Sequence, residues 1–144
     1  MASFVMDGAS ETLLKLQNAN LFDDDAVEEM LFAGGDILVD EIRRAMQQDT
    51  HRIAHLASKV KYKRTVKKDK SGVPYIAVSA TGNNKTGDRN STVLFVLNYG
   101  RSSKYGQITG SYFWTKAVER AIPKISAKMQ ETANKILRDR GVTD

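Results

Sequence analysis

From Val27 to Met46, apolar or small residues recur in steps of three and four: Val27, Met30, Leu31, Gly34, Ile37, Leu38, Ile42, Ala45 and Met46. That period predicts one long helix, about Asp24 to Gln47, with a single core-facing stripe. Two interior glycines, Gly34 and Gly35, cost about 1 kcal/mol each relative to alanine. The stripe keeps its phase across them, which favours one helix over a break recapped by Asp36. The pair is then expected to let another backbone approach closely. Asp23-Asp24-Asp25 puts negative charge at the positive end of the helix dipole. Upstream, Phe4-Val5-Met6 is a short apolar, strand-like stretch. Ser10 is placed to cap a short helix whose apolar side is Leu13, Leu14 and Leu16.

Past Gln48-Asp49-Thr50 the pattern changes. Residues 51–57 suggest one or two irregular helical turns. Val60, Tyr62, Arg64 and Val66 then alternate with Lys59, Lys61, Lys63 and Lys67, the period of a strand with one strongly basic face. A turn over Lys68-Asp69-Lys70-Ser71-Gly72 leads to a second strand, Val73 to Ala80. A polar loop, Thr81 to Ser91, leads to a third, Thr92 to Asn98, giving an antiparallel meander. A glycine-containing loop, Tyr99 to Gly110, precedes a final helical stripe: Val118, Ile122, Ile125, Met129, Ala133, Ile136 and Leu137, ending near Arg140. Pro123 removes a hydrogen bond to the Glu119 carbonyl, so a kink or restart is expected there. The fold class is α+β: a small antiparallel sheet of three to four strands against two long helices, in a single domain spanning residues 1–144.

Composition narrows the function. The 144 residues include no cysteine, which excludes thiol catalysis, disulfides and cysteine zinc sites. A chain this long buries roughly two-thirds of its unfolded surface, enough for one core. MASFVMDGASE lacks a secretory pattern, and no apolar run reaches the length that spans a bilayer, so a soluble intracellular product with no membrane partner is expected. Charge is segregated. Residues 1–42 hold ten acids and one base, Lys15, a net of −9, whereas residues 43–144 hold 21 bases and seven acids, a net of +14. Such halves attract each other within the fold or between neighbouring subunits, and a free basic surface also suits nucleic acid.

No enzyme signature stands out. His51 and His55 share a helical spacing, but Arg52 occupies the place of a metalloprotease glutamate and its charge disfavours a metal. Gly82-Asn83-Asn84-Lys85-Thr86-Gly87 has the glycine spacing of a phosphate loop, yet Asp88-Arg89 follow where Lys and Ser or Thr belong. The acids around Asp23 to Glu29 suit a helix start better than a metal site or acid–base pair. No Gly-x-Ser-x-Gly turn presents a serine. No catalytic residue, metal or cofactor is therefore expected. The basic strand, Lys59, Lys61, Lys63 and Lys67, is either a solvated face or a contact for phosphate or an acidic protein.

The segment Phe95-Val96-Leu97-Asn98-Tyr99-Gly100-Arg101-Ser102-Ser103, followed by a loop and then Ser111-Tyr112-Phe113-Trp114-Thr115-Lys116-Ala117, resembles a family of tail-completion proteins. These are neck, or head-to-tail joining, proteins of long-tailed bacteriophages. Its members carry an apolar strand ending in a Glu-Gly-Thr-like turn, then Pro-Phe-Leu-x-x-Ala opening the last helix. Gly100, Phe113 and Ala117 match most closely. Asn98 or Tyr99 stands where glutamate is common, and Ser111-Tyr112 where proline is. The resemblance implies a structural virion protein, made in the host cytoplasm, that forms a ring, expected to be a hexamer, at the head–tail interface. Its partners would be other copies of itself, the connector or head-completion protein, and the tail tube or tail terminator. A tail terminator of the same virion class, or a basic DNA-binding accessory protein making non-specific contact with DNA, is the alternative. The surfaces expected to meet partners are the basic strand, the first loop with Lys85 and Arg89, and the second loop with Tyr99, Gly100, Arg101 and Tyr105. Trp114 is either a partner anchor or, with Phe113, packing for the last helix.

Overall fold

The computed structural model describes residues 23–141 and the backbone of residues 3–5. The short helix expected after Ser10 lies outside the described residues. Helix α1, Asp24–Gln48, forms as the stripe predicts. It starts at Asp23, whose Oδ1 accepts the Ala26 N–H at 2.9 Å, an N-cap bond that satisfies one of the free donors of the first turn. That bond, then the Arg140 guanidinium at 3.0 Å, holds the Asp23 carboxyl below the usual carboxylate range.

Beyond α1 a 3₁₀ helix, Ala54–Lys59, leads into β2, Val60–Tyr62. The strand expected through Lys67 stops at Tyr62, and the chain resumes pairing as β3, Lys67–Lys68, with β4, Pro74–Tyr75. The reverse turn between them is built by Asp69, whose Oδ1 accepts the N–H groups of Ser71 and Val73 at 2.8 and 2.9 Å. The second predicted strand is likewise split at buried Ile76, and its last part is β5, Ala77–Ala80. One interrupted hairpin thus runs out through β2 and β3 and back through β4 and β5. The third strand of the main sheet is N-terminal: β1, Ser3–Val5, pairs antiparallel with the other side of β5, in the order β1-β5-β2.

Residues 92–98, expected as a strand, form instead the middle of helix α2, Asn90–Tyr99. Its buried positions, Asn90, Ser91, Leu94 and Asn98, recur in steps of three and four along one face. Asn90 Nδ2 donates to the Thr81 carbonyl at 2.9 Å and Leu94 is fully enclosed, so tertiary contacts outweigh the β-branched composition. The loop expected at 99–110 is a β-hairpin, with β6, Gly100–Ser103, pairing β7, Gly106–Thr109. Helix α3, Phe113–Asp139, continues through Pro123 without a restart. Pro123 and Glu119 are both exposed, so the carbonyl without a donor lies on the solvent side.

The α+β class holds, with α1 at the centre. One flank of α1 meets the sheet and the other carries α3, antiparallel to it, with Arg140 reaching Asp23 at the far end. The glycine pair admits side chains from both sides rather than a backbone. A β-carbon on Gly34 would stand 3.0 Å from Ile125 Cγ2, and one on Gly35 would stand 2.6 Å from Ile76 Cδ1 and 2.9 Å from the Tyr62 ring. Leu31, Leu38, Ile42 and Met46 of α1, Val60 and Val78 of the sheet, Leu94 of α2, and Ala117 and Ala121 of α3 fill the core between. Each fully buried leucine contributes roughly 1.5–3 kcal/mol.

Candidate assembly surface

The hairpin β6–β7 stands on a clamped base. Asn98, 2% exposed, sits one residue before the end of α2. Its Oδ1 accepts the N–H groups of Trp114 and Thr115 at 2.9 and 3.2 Å, while its Nδ2 donates to Thr115 Oγ1 at 3.0 Å. Helix α3 has no side-chain cap of its own, because Tyr112 at the N-cap position is left-handed, with φ 56°. Asn98 supplies that cap from a different helix. Two backbone bonds, Ser111 N–H to Leu97 O and Tyr112 N–H to Asn98 O, at 3.1 and 2.9 Å, close the same junction.

Glycine is required where the two hairpin strands cross at this base. Gly100 has φ +87°, and a β-carbon there would stand 2.7 Å from the Ile108 carbonyl oxygen. One on Gly110 would stand 2.5 Å from the Asn98 carbonyl oxygen. Backbone cannot move aside as a side-chain tip can, so the contact is open to glycine alone.

Aromatic rings surround this base on the outside. Phe95 and Tyr99 pack at a tilt of 53° with ring centroids 4.7 Å apart, and Tyr112 meets Tyr99 edge-on at 6.0 Å. All three are exposed. At the hairpin tip Tyr105 is 87% exposed, with Lys104 Nζ 5.0 Å from its ring centre. Arg101 is exposed on β6, and no acid occurs between Arg89 and Glu119. Large apolar rings left in water, grouped and rimmed by cations, mark a surface suited to a partner.

Trp114, one of the residues proposed from sequence to face a partner, is not on this surface. It is 7% exposed and packs edge-on to Phe113 at 6.5 Å, so both rings seat the start of α3 in the core.

Nor do the lysines of the predicted basic strand share one sheet face. Lys61 lies on β2, Lys59 closes the 3₁₀ helix, Lys63 lies in the link and Lys67 on the separate β3 ribbon, all exposed. Arg64 is drawn over aromatic rings instead, 5.2 Å from the Phe32 centre and 5.9 Å from that of Tyr62. The Tyr62 hydroxyl donates to Asp36 Oδ1 at 2.6 Å, and burial, with that carboxylate, pushes the phenol above its ordinary value. Lys85 and Arg89 sit in an ordered loop: Asn84 Oδ1 accepts the N–H groups of Thr86 and Asp88 at 3.0 and 2.9 Å. His51 Nδ1 lies 2.7 Å from Asp49 Oδ2, and His55 is exposed. Among the described residues no group of three or more side chains is placed to hold a metal ion.

A second arrangement escaped the sequence reading. Glu41, 6% exposed at the α1–α3 seam, gathers three cations. Lys124 Nζ bonds to its Oε1, Arg44 NH1 lies 3.6 Å from the same oxygen, and Arg120 Nε lies 3.8 Å from Oε2. The Lys124 hydrogen bond is the main cause that holds the Glu41 carboxyl below its usual range, against burial, which would raise it. The signal was present as the spacing of Lys116, Arg120, Lys124 and Lys128, but a partner on α1 is not visible in α3's own sequence.

Fold and surface together define a class: a small α+β protein whose helical scaffold presents a cationic, aromatic hairpin from a rigid base. The chain matches no protein-family model, and no curated protein or solved structure is found to be similar to it.

Proposed function

We propose that this chain is a structural virion subunit of a long-tailed bacteriophage that joins or completes the tail, assembling as a ring at the head–tail interface. The observation that carries the reading is that the three closest-matching residues, Gly100, Phe113 and Ala117, converge at the hairpin base, although the apolar segment before Gly100 is helix α2 where the family pattern has a strand and Asn98 departs from that pattern. Gly100 makes the strand crossing, Phe113 and Ala117 seat α3, and Asn98 caps it. The stretch from Phe95 to Ala117 therefore works as one device that holds out a hairpin bearing Arg101 and Tyr105. A ring of identical subunits needs one surface to meet a different surface of its neighbour, and a projecting hairpin serves such a heterologous contact. The acids on α1 and the bases after residue 43 provide opposite charges for it.

The test is electron microscopy of a lysate from a phage lacking this gene. Full heads beside separate, finished tails are expected. Tails of irregular length would favour a terminator role within the same virion class, and normally joined particles would overturn the reading.

A further inference from the structure

Helix α3 divides its surface by charge. At 100° per residue, Lys116, Arg120, Lys124, Lys128, Lys135 and Arg138 fall on one flank, and the acid among them is Glu131. All are exposed. The row is about 33 Å long at 1.5 Å per residue. Arg44 extends it onto α1, and buried Glu41 fixes Arg44, Arg120 and Lys124 at its middle. Glu41 balances one of these three charges, and Glu131 pairs with Lys128 at 3.4 Å. With Arg44 the row holds seven cations against Glu41 and Glu131, which leaves a positive excess.

We propose that this flank binds the phosphate backbone of duplex DNA without reading its sequence. Three features select that ligand. First, between the charges the flank exposes only Ala127 and Asn134 and no large apolar or aromatic side chain, so it lacks the apolar centre of a protein interface. Second, without a ring on which bases could stack, it lacks what a single-strand platform uses, whereas duplex phosphates need only cations. Third, four of the seven cations are lysine, the residue depleted from protein interfaces and suited to phosphate as a point charge. The flank starts at Lys116, one turn after Tyr112 at the hairpin base, and runs from there along α3 to Arg138, and the inference stands whether or not the chain forms a ring.

The experiment is equilibrium binding of the full chain to a DNA duplex of about 20 base pairs across a salt series. The variant Lys116→Gln/Lys128→Gln/Lys135→Gln leaves Glu41 and its partners intact. The control Lys61→Gln/Lys63→Gln/Lys67→Gln removes the same charge elsewhere. Wild type is expected to bind at low salt. The α3 variant should lose at least about tenfold in affinity and flatten the salt slope by roughly 0.9 per lysine removed, with the control within about twofold of wild type. Equal losses in both variants, tighter binding of single strands than duplex, or no binding at low salt would each overturn the proposal. Should the triple variant fold poorly by circular dichroism, the single variants Lys116→Gln and Lys135→Gln carry the same test, each flattening the slope by about 0.9.

Discussion

The Asn98 Oδ1 lies 2.9 Å from the Trp114 amide nitrogen, so one helix caps another across sixteen residues of chain. Because the hairpin is everything between them, this bond and its two companions to Thr115 fix where the hairpin points.

Asn98→Ala is expected to destabilise the protein by about 1–3 kcal/mol, the range for a buried donor left without its acceptor. Asn98→Asp keeps the acceptor and, with the Thr115 hydroxyl free to rotate and donate, should cost less. Urea unfolding of the three proteins measures the difference. An alanine variant as stable as wild type would show that the cap is dispensable.

The two helix glycines make a second, asymmetric pair. Alanine gains about 1 kcal/mol over glycine in a helix interior. At Gly34 the new methyl meets Ile125 Cγ2 at 3.0 Å and the flexible Met129 Sδ at 3.3 Å, whereas at Gly35 it meets Ile76 at 2.6 Å and the Tyr62 ring at 2.9 Å. Tyr62 is held by its hydroxyl, which donates to Asp36 with the Phe32 carbonyl oxygen 3.1 Å away, and has little room to move. Gly34→Ala should therefore stay within about 1 kcal/mol of wild type, and Gly35→Ala should lose about 1–3 kcal/mol to overpacking. Thermal unfolding distinguishes them, and equal midpoints would refute the asymmetry.

Where the hydrophobic period was long, it was readable. Over the length of α1 a stripe can have only one phase, and both its start at Asp23 and its end near Gln48 follow from local chemistry. The stretch Thr92 to Asn98 was not readable, because seven residues rich in Val, Leu and Phe satisfy a strand as well as two helical turns. What decided it was Asn98 and Asn90, whose partners Trp114, Thr115 and Thr81 are distant in sequence. The candidate surface shows the same division. Tyr99, Gly100, Arg101 and Tyr105 were picked out from the chain, but whether Trp114 or Tyr112 faces water depends on the left-handed turn at Tyr112, which only the Asn98 clamp explains.

Glu41 gives a pH signature. Its folded-state carboxyl lies below the ordinary value of 4.5, with the Lys124 hydrogen bond as the main cause. A depressed carboxyl contributes stability that is present above the unfolded value and lost as pH falls through the folded one. Glu41→Gln should thus cost about 1–2 kcal/mol at neutral pH, since its cationic partners are half exposed and screened. The gap from wild type should close as pH drops below about 4.5. Denaturant midpoints across pH 3–7 test this, and a gap independent of pH would assign the loss to packing.

Trp114 is the one tryptophan of the chain, which makes its emission a clean reporter of the α3 start. Buried beside Phe113, it should emit at short wavelength in the free protein and shift to long wavelength only on unfolding. Assembly through the hairpin should leave that emission unchanged, because the partner would meet Tyr105 and the outer rings of Phe95, Tyr99 and Tyr112 rather than the core. Tyr105→Ser, at a site 87% exposed, should fold with stability within about 0.5 kcal/mol of wild type yet fail to assemble. If the emission moved on assembly while Tyr105→Ser assembled normally, the contact would lie at the base of α3 and not at the hairpin tip.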